Sequence, residues 1–136
     1  MLPLAYLRDW AEATGDVRVV PFFERYFRYQ QKTFAEHPLN ADSCWAKARA
    51  GDELEVIEWL IDRTGDESLL AIARLVCEQA TDWTSYYYAN ETLAAGTGYR
   101  RHIVNFMQGL RFPILRTRLM DSGIDRGVYS AAFGPE

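Results

Sequence analysis

"WLIDRTGDESLLAIARLVCEQATDW", residues 59–83, decides the fold. Around this stretch apolar residues recur at helical spacing on both sides of a three-residue interruption, Thr64-Gly65-Asp66. Upstream, Leu54, Ile57 and Ile61 make one stripe, with Val56 and Leu60 beside it; downstream, Leu69, Ile72, Ala73 and Val76 make another. Glycine readily takes the left-handed conformation that closes a helix, and an aspartate side chain accepts from the amides that open the next. The stretch therefore reads as two helices joined by a tight corner.

The same corner stands earlier in the chain, at Thr14-Gly15-Asp16, and a degraded version, Asp121-Ser122-Gly123-Ile124-Asp125, stands later. Before the first corner, Leu4, Leu7 and Ala11 fall on one helical line and Tyr6 and Trp10 on the next. After it, Phe22, Tyr26 and Tyr29 are in register, with Phe23 and Phe27 alongside, and Pro21 fits a first helical turn. "EHPLNADSC" and "YYYANETLAAGTGY" break the pattern, and a third cycle opens at His102 with Ile103, Phe106 and Leu110 in step. Pro113 lies inside that cycle. Its ring would press on the carbonyl of Gly109, a backbone free to shift, so a kinked but continuous helix is expected.

The chain thus reads as an internal repeat of about fifty residues. It is an all-α single domain over 1–136, with three helical hairpins at about 2–36, 45–89 and 100–133. A hairpin cannot bury its apolar face alone, so repeats stack on their neighbours.

Composition agrees with a packed domain: 49% of the residues are hydrophobic and 14% aromatic, which excludes a disordered chain. No apolar run approaches the ~18 residues of a spanning helix. The start, "MLPLAYLRDW", has Arg8 and Asp9 where a signal peptide needs a longer apolar stretch. Cys44 and Cys77 are isolated, without C-x-x-C spacing, which fits a reducing compartment. A cytoplasmic protein without a membrane partner is expected. Charge is uneven: residues 1–98 carry 9 Lys+Arg against 16 Asp+Glu, and residues 99–136 carry 6 against 3. Such asymmetry marks either an anion-binding tail or two parts that attract each other, within one chain or between two.

Three blocks in order, "YFRYQ", "WLIDRTGDESLLAIARLVCEQATDWT" and "HIVNFMQGLRFPIL", resemble a segment of the bacterial glycoside hydrolase family 127 catalytic domain. That family is of the β-L-arabinofuranosidase type and was once filed as a domain of unknown function. The resemblance covers roughly residues 1–120. It implies an (α/α)6 toroid in the relatives, six hairpins with alternating inner and outer helices, of which this chain holds about three: a partial toroid, six-hairpin glycosidase-like. Members of the family use a zinc-bound cysteine nucleophile, further cysteine and glutamate ligands and a glutamate acid/base. Those motifs would lie downstream of the matched segment, so Cys44 and Cys77 take none of these roles and no cofactor is expected. The last unit, ending "SAAFGPE", reads as cut short, with Val128, Ala131 and Ala132 its clear remnants.

In the relatives, inner helices start at the sugar-binding mouth. His102 opens the third inner helix, so the resemblance implies a substrate contact there; a histidine satisfied by a neighbouring carboxylate or carbonyl is the structural alternative. Trp45 and Arg49 hold the matching place before the second inner helix. An aromatic plate beside a guanidinium suits a sugar or carboxylate, and equally suits packing of arginine on the ring. Glu55, Glu58 and Asp62 share one helical face, as paired carboxylates of a glycosidase would, but they lie opposite the apolar stripe and are expected to be a solvated face.

Histidines and cysteines are too few and scattered for a metal site. "AAGTGYRR" is no dinucleotide fingerprint, because the third glycine and a preceding strand are missing. Arg100, Arg101, Arg111, Arg116 and Arg118 could follow a phosphate backbone, but the chain is acidic, with a pI near 5.2, so nucleic acid is not the expected partner.

Two functions stand. One is a truncated, non-catalytic glycoside-hydrolase-like domain with residual carbohydrate binding through Trp45, Arg49 and His102. The other is a helical-repeat association module without sugar binding. In both, an arc of three hairpins leaves two open edges, and a homodimer is expected to cover them.

Overall fold

A computed structural model describes residues 2–39, 44–88 and 102–120, and all regular structure among them is helical. The elements are α1 (Leu2–Thr14), α2 (Val19–Thr33), α3 (Cys44–Ala48), α4 (Ala50–Thr64), α5 (Leu70–Gln79), α6 (Trp83–Tyr88), α7 (Ile103–Gly109) and α8 (Phe112–Met120), with a 3-10 turn at Glu67–Leu69 before α5. No described helix is long and apolar enough to cross a membrane.

The two corners are built alike, bond for bond. Gly15 and Gly65 have φ of 68° and 69°, where a side chain would be strained. Each donates its amide back to the last turn, Gly15 to Ala11 O at 2.8 Å and Gly65 to Ile61 O at 2.7 Å. The preceding threonines donate to carbonyls four residues back, Thr14 Oγ1 to Trp10 O and Thr64 Oγ1 to Leu60 O, both at 2.7 Å. The aspartates then accept from the amide two residues on: Arg18 N to Asp16 Oδ1 and Ser68 N to Asp66 Oδ1, both at 3.0 Å. Hydrogen bonds from Arg18 hold Asp16 below the usual carboxylate range, and those from Ser68 do the same for Asp66. The third corner, at Gly123, lies outside the described residues, as does the return arm expected for the third hairpin.

Helix α1 packs on α4 and α4 on α8, while α2 packs on α5. This puts α4 at the centre. Leu54, Val56, Ile57 and Leu60 are all fully buried there, facing Phe23 and Phe27 from α2 and Ile72, Ala73 and Val76 from α5. Each such side chain contributes about 2 kcal/mol on burial. Pro21 sits in the first turn of α2, as its chemistry requires. On that helix the buried line is Val19, Phe23 and Phe27, while Phe22 and Tyr29 face water.

Three expectations fail. The segment through Pro113 is not one kinked helix: the chain turns at Leu110 and Arg111, and Pro113 falls in the first turn of α8, where it forfeits no bond. The buried line of α7 and α8 is Asn105, Gly109, Phe112, Leu115 and Leu119; Ile103 and Leu110, which looked like core, are exposed. Nor is the face of Glu55 and Glu58 solvated. Because α4 is packed on several sides, these carboxylates lie in helix seams: Glu55 bonds Arg8 Nη1 at 2.8 Å and also Arg111, and Glu58 meets Arg118 Nε at 2.9 Å. Only Asp62 of the three is exposed. The charge asymmetry is thus at least partly consumed within the chain.

Candidate functional site

The first helical arm of the second hairpin is interrupted at Arg49, whose φ of −111° and ψ of 17° separate α3 from α4. The last carbonyls of α3, orphaned by that break, are taken by the lead-in to α6 and its first residue: Thr81 N donates to Lys47 O at 3.0 Å, and Trp83 Nε1 donates to Ala48 O at 2.9 Å. Trp83 is fully buried. Its indole lies where a Cβ on residue 109 would come within 2.5 Å, so only glycine admits α7 at that distance. One tryptophan therefore fixes α3 and α7 together.

That clamp brings the three candidate residues into one cluster. The rings of Trp45 and His102 meet edge to face, with centroids 5.4 Å apart at 83°. The Arg49 guanidinium carbon lies 4.9 Å from the centre of the Trp45 ring. Arg49 Nε donates to Asn105 Oδ1 at 3.0 Å, and Asn105 is fully buried. His102 is exposed at the head of α7, with extended backbone, and Trp45 keeps 41% of its surface.

Below the cluster runs a polar seam between α4 and the pair α7–α8. Asp52 accepts from Gln108 Nε2 at 3.1 Å and lies 3.9 Å from Arg111 Nη1. Burial raises its carboxyl above the usual range, with Arg111 opposing the shift. On the far side of α4, burial pushes Glu53 up to about 7, Gln30 pulling the other way, and burial pushes the neighbouring Tyr26 up to about 12.

Reactive groups lie elsewhere. A cleft of about 420 Å³ between α5 and α8 is lined by Arg74, Cys77, Glu78 and Arg116, among others. Burial pushes its Cys77 thiol up to about 11, which suppresses the thiolate a nucleophile would need. Among the described residues no group of three or more His, Cys, Asp and Glu is placed to hold a metal ion. The Cys44 side chain lies outside the described set.

Trp45, Arg49 and His102 were legible as candidates; Asn105 and Trp83 were not. Asn105 stands one turn after His102, and with Gly109 and Phe112 it keeps helical spacing, a signal that counting apolar residues alone passes over. No protein-family model, no curated protein and no solved structure matches the chain.

Proposed function

We propose that this chain is a carbohydrate-binding helical domain of glycoside-hydrolase-like origin, an arc of a hairpin toroid without hydrolytic machinery of its own. The observation that carries the reading is the convergence of Trp45, Arg49 and His102, which are 57 residues apart at the extremes of the set, onto one exposed patch. An aromatic face, an imidazole and a guanidinium side by side offer stacking to the apolar face of a sugar ring and hydrogen bonds to its hydroxyls. The serial packing of α1, α4 and α8, with α2 on α5 behind, is compatible with alternating inner and outer helices of a toroid. Hydrolysis needs an acid/base and a nucleophile held a fixed distance apart. Glu55 and Glu58 are instead engaged by arginines, so no hydrolytic step is assigned to them.

Calorimetric titration with arabinose-containing oligosaccharides tests the reading. Binding that falls at least about tenfold in both Trp45→Ala and His102→Ala is the expected result. Binding that survives both substitutions, or no binding at all, removes it.

A second reading rests on a different observation. Ile103, Val104, Met107, Leu110 and Ile114 form an exposed apolar stripe along α7 and α8, each at least 44% accessible. Contiguous patches of this kind mark interfaces. The occupant we assign is a second copy of the chain, giving a homodimer through the open hairpin edge, and in the strict form of this reading association is the whole function. Light scattering at micromolar concentration decides: a particle that stays monomeric across a hundredfold concentration range, about 3 kcal/mol in association free energy, excludes it.

A further inference from the structure

The arginines along the α4 seams are neutralised by acids: Arg8 and Arg111 by Glu55, and Arg118 by Glu58. Arg49 is the exception. Its Nε is spent on the neutral amide oxygen of Asn105, and its Cζ lies over the Trp45 ring, 4.9 Å from the centre. Among the described residues no carboxylate reaches ion-pair distance of it. Asp52, whose field it shares, is engaged by Gln108 and Arg111. The guanidinium is therefore oriented by a fully buried acceptor while both Nη groups keep their donors, the fork that matches a carboxylate in bidentate fashion.

We propose that the Trp45–Arg49–His102 patch takes a carboxylate-bearing saccharide, a uronate-type ring, with the Nη pair of Arg49 seating the carboxylate and Asn105 acting as the positioning residue. This inference rests on the carbohydrate reading above and narrows its ligand class. The saccharide, rather than a free anion, follows from what surrounds the charge: the exposed part of Trp45 offers a surface for the ring, and His102 stands 5.4 Å from Trp45, within reach of hydroxyls on the same ligand. Asn105 decides the electrostatics. A carboxylate at that position would hold Nε equally well and cancel the charge, whereas an amide holds it and leaves the charge for the ligand.

The test is calorimetry on the full chain at low ionic strength with three probes: digalacturonate, its neutral counterpart galactobiose, and sodium acetate. Digalacturonate is expected to bind at least about tenfold tighter than galactobiose, as a charge-assisted pair implies, with the ratio shrinking as salt is added. Arg49→Gln and Asn105→Asp should both bring the ratio to about one, Arg49→Gln by removing the charge and Asn105→Asp by cancelling it. The ratio is the readout because a merely structural loss would weaken both disaccharides together. Arg49→Gln alters a residue nearer the surface and keeps the test open if Asn105→Asp disturbs the buried seam. Equal wild-type affinity for both disaccharides, or a preference that survives Arg49→Gln, overturns the inference and leaves the carbohydrate reading standing. Acetate binding as tightly as digalacturonate overturns it in favour of a simple anion site. Failure of both disaccharides to bind overturns the inference, and the parent reading is then decided by the arabinose-containing oligosaccharides alone.

Discussion

Helix α4 and the pair α7–α8 lie against each other, yet their sequences relate to burial in opposite ways. In α4 the apolar stripe is the core, and ten of its fifteen residues are buried, Asp52, Glu53 and Glu58 among them. In α7–α8 much of the apolar stripe faces water, and the buried line opens with Asn105 and Gly109. A central helix meets neighbours on several sides, so its polar residues must find partners or give up their charge. A flanking helix buries one line only, and here that line is chosen by what α4, Trp83 and Arg49 present, not by hydrophobicity.

The largest expected effect comes from removing the object that sets α7 in place. Trp83→Ala deletes a fully buried indole and its bond to Ala48 O, and should cost about 4 kcal/mol in urea unfolding. It should also abolish the saccharide binding proposed for the patch, since α3 and α7 lose their shared clamp. A cost under about 1 kcal/mol would show that the phase of α7 is set some other way.

Next in size is the buried acid of α4. Glu53 in the folded chain sits at about 7 against an ordinary 4.5, so the folded state holds its proton more tightly than the unfolded chain. The stabilisation this lends is complete below the unfolded value and is lost as pH rises through about 7, amounting to about 3 kcal/mol. Glu53→Gln should therefore match wild type near pH 5 and exceed it by up to about 3 kcal/mol at pH 8. A wild-type stability profile that stays flat from pH 4.5 to 8 would show that α4 does not hold this group as described.

Gly109→Ala probes the same contact as Trp83 from the other side. A methyl group 2.5 Å from the indole must displace it, at about 2 kcal/mol by denaturant midpoint. The exposed stripe gives the smallest effect: Met107→Ser should leave stability within about 0.5 kcal/mol while weakening any dimer seen by light scattering. A large loss of monomer stability would mean that Met107 is core after all and that the comparison with α4 is false.

Much of this architecture was legible because it rests on local chemistry. Thr-Gly-Asp gives the same hydrogen bonds at residues 14–16 and 64–66, since each bond spans no more than four residues. The stripes of α4 and α5 were legible for a related reason: packed on several sides, those helices bury their apolar residues. The seams were not. Glu55 and Glu58 looked solvated because a helical face opposite an apolar stripe normally is, and nothing in residues 50–64 announces Arg8, Arg111 and Arg118 waiting across two interfaces. Of the candidate patch, the aromatic, the guanidinium and the imidazole could be picked out by type, but not the buried amide that orients the guanidinium.

The sequence by itself determined the all-helical character of the described residues, the position and chemistry of two corners, and which face of α4 and α5 is core. Each depends on backbone preferences and periodicities that act within one or two turns. Tertiary structure alone decided that α7 turns Asn105 and Gly109 inward, that Glu55 and Glu58 are paired instead of hydrated, and that Trp45, Arg49 and His102 share one patch. Those outcomes depend on which surfaces meet across helices, and a buried polar group is stable only where a partner from a distant part of the chain arrives to satisfy it.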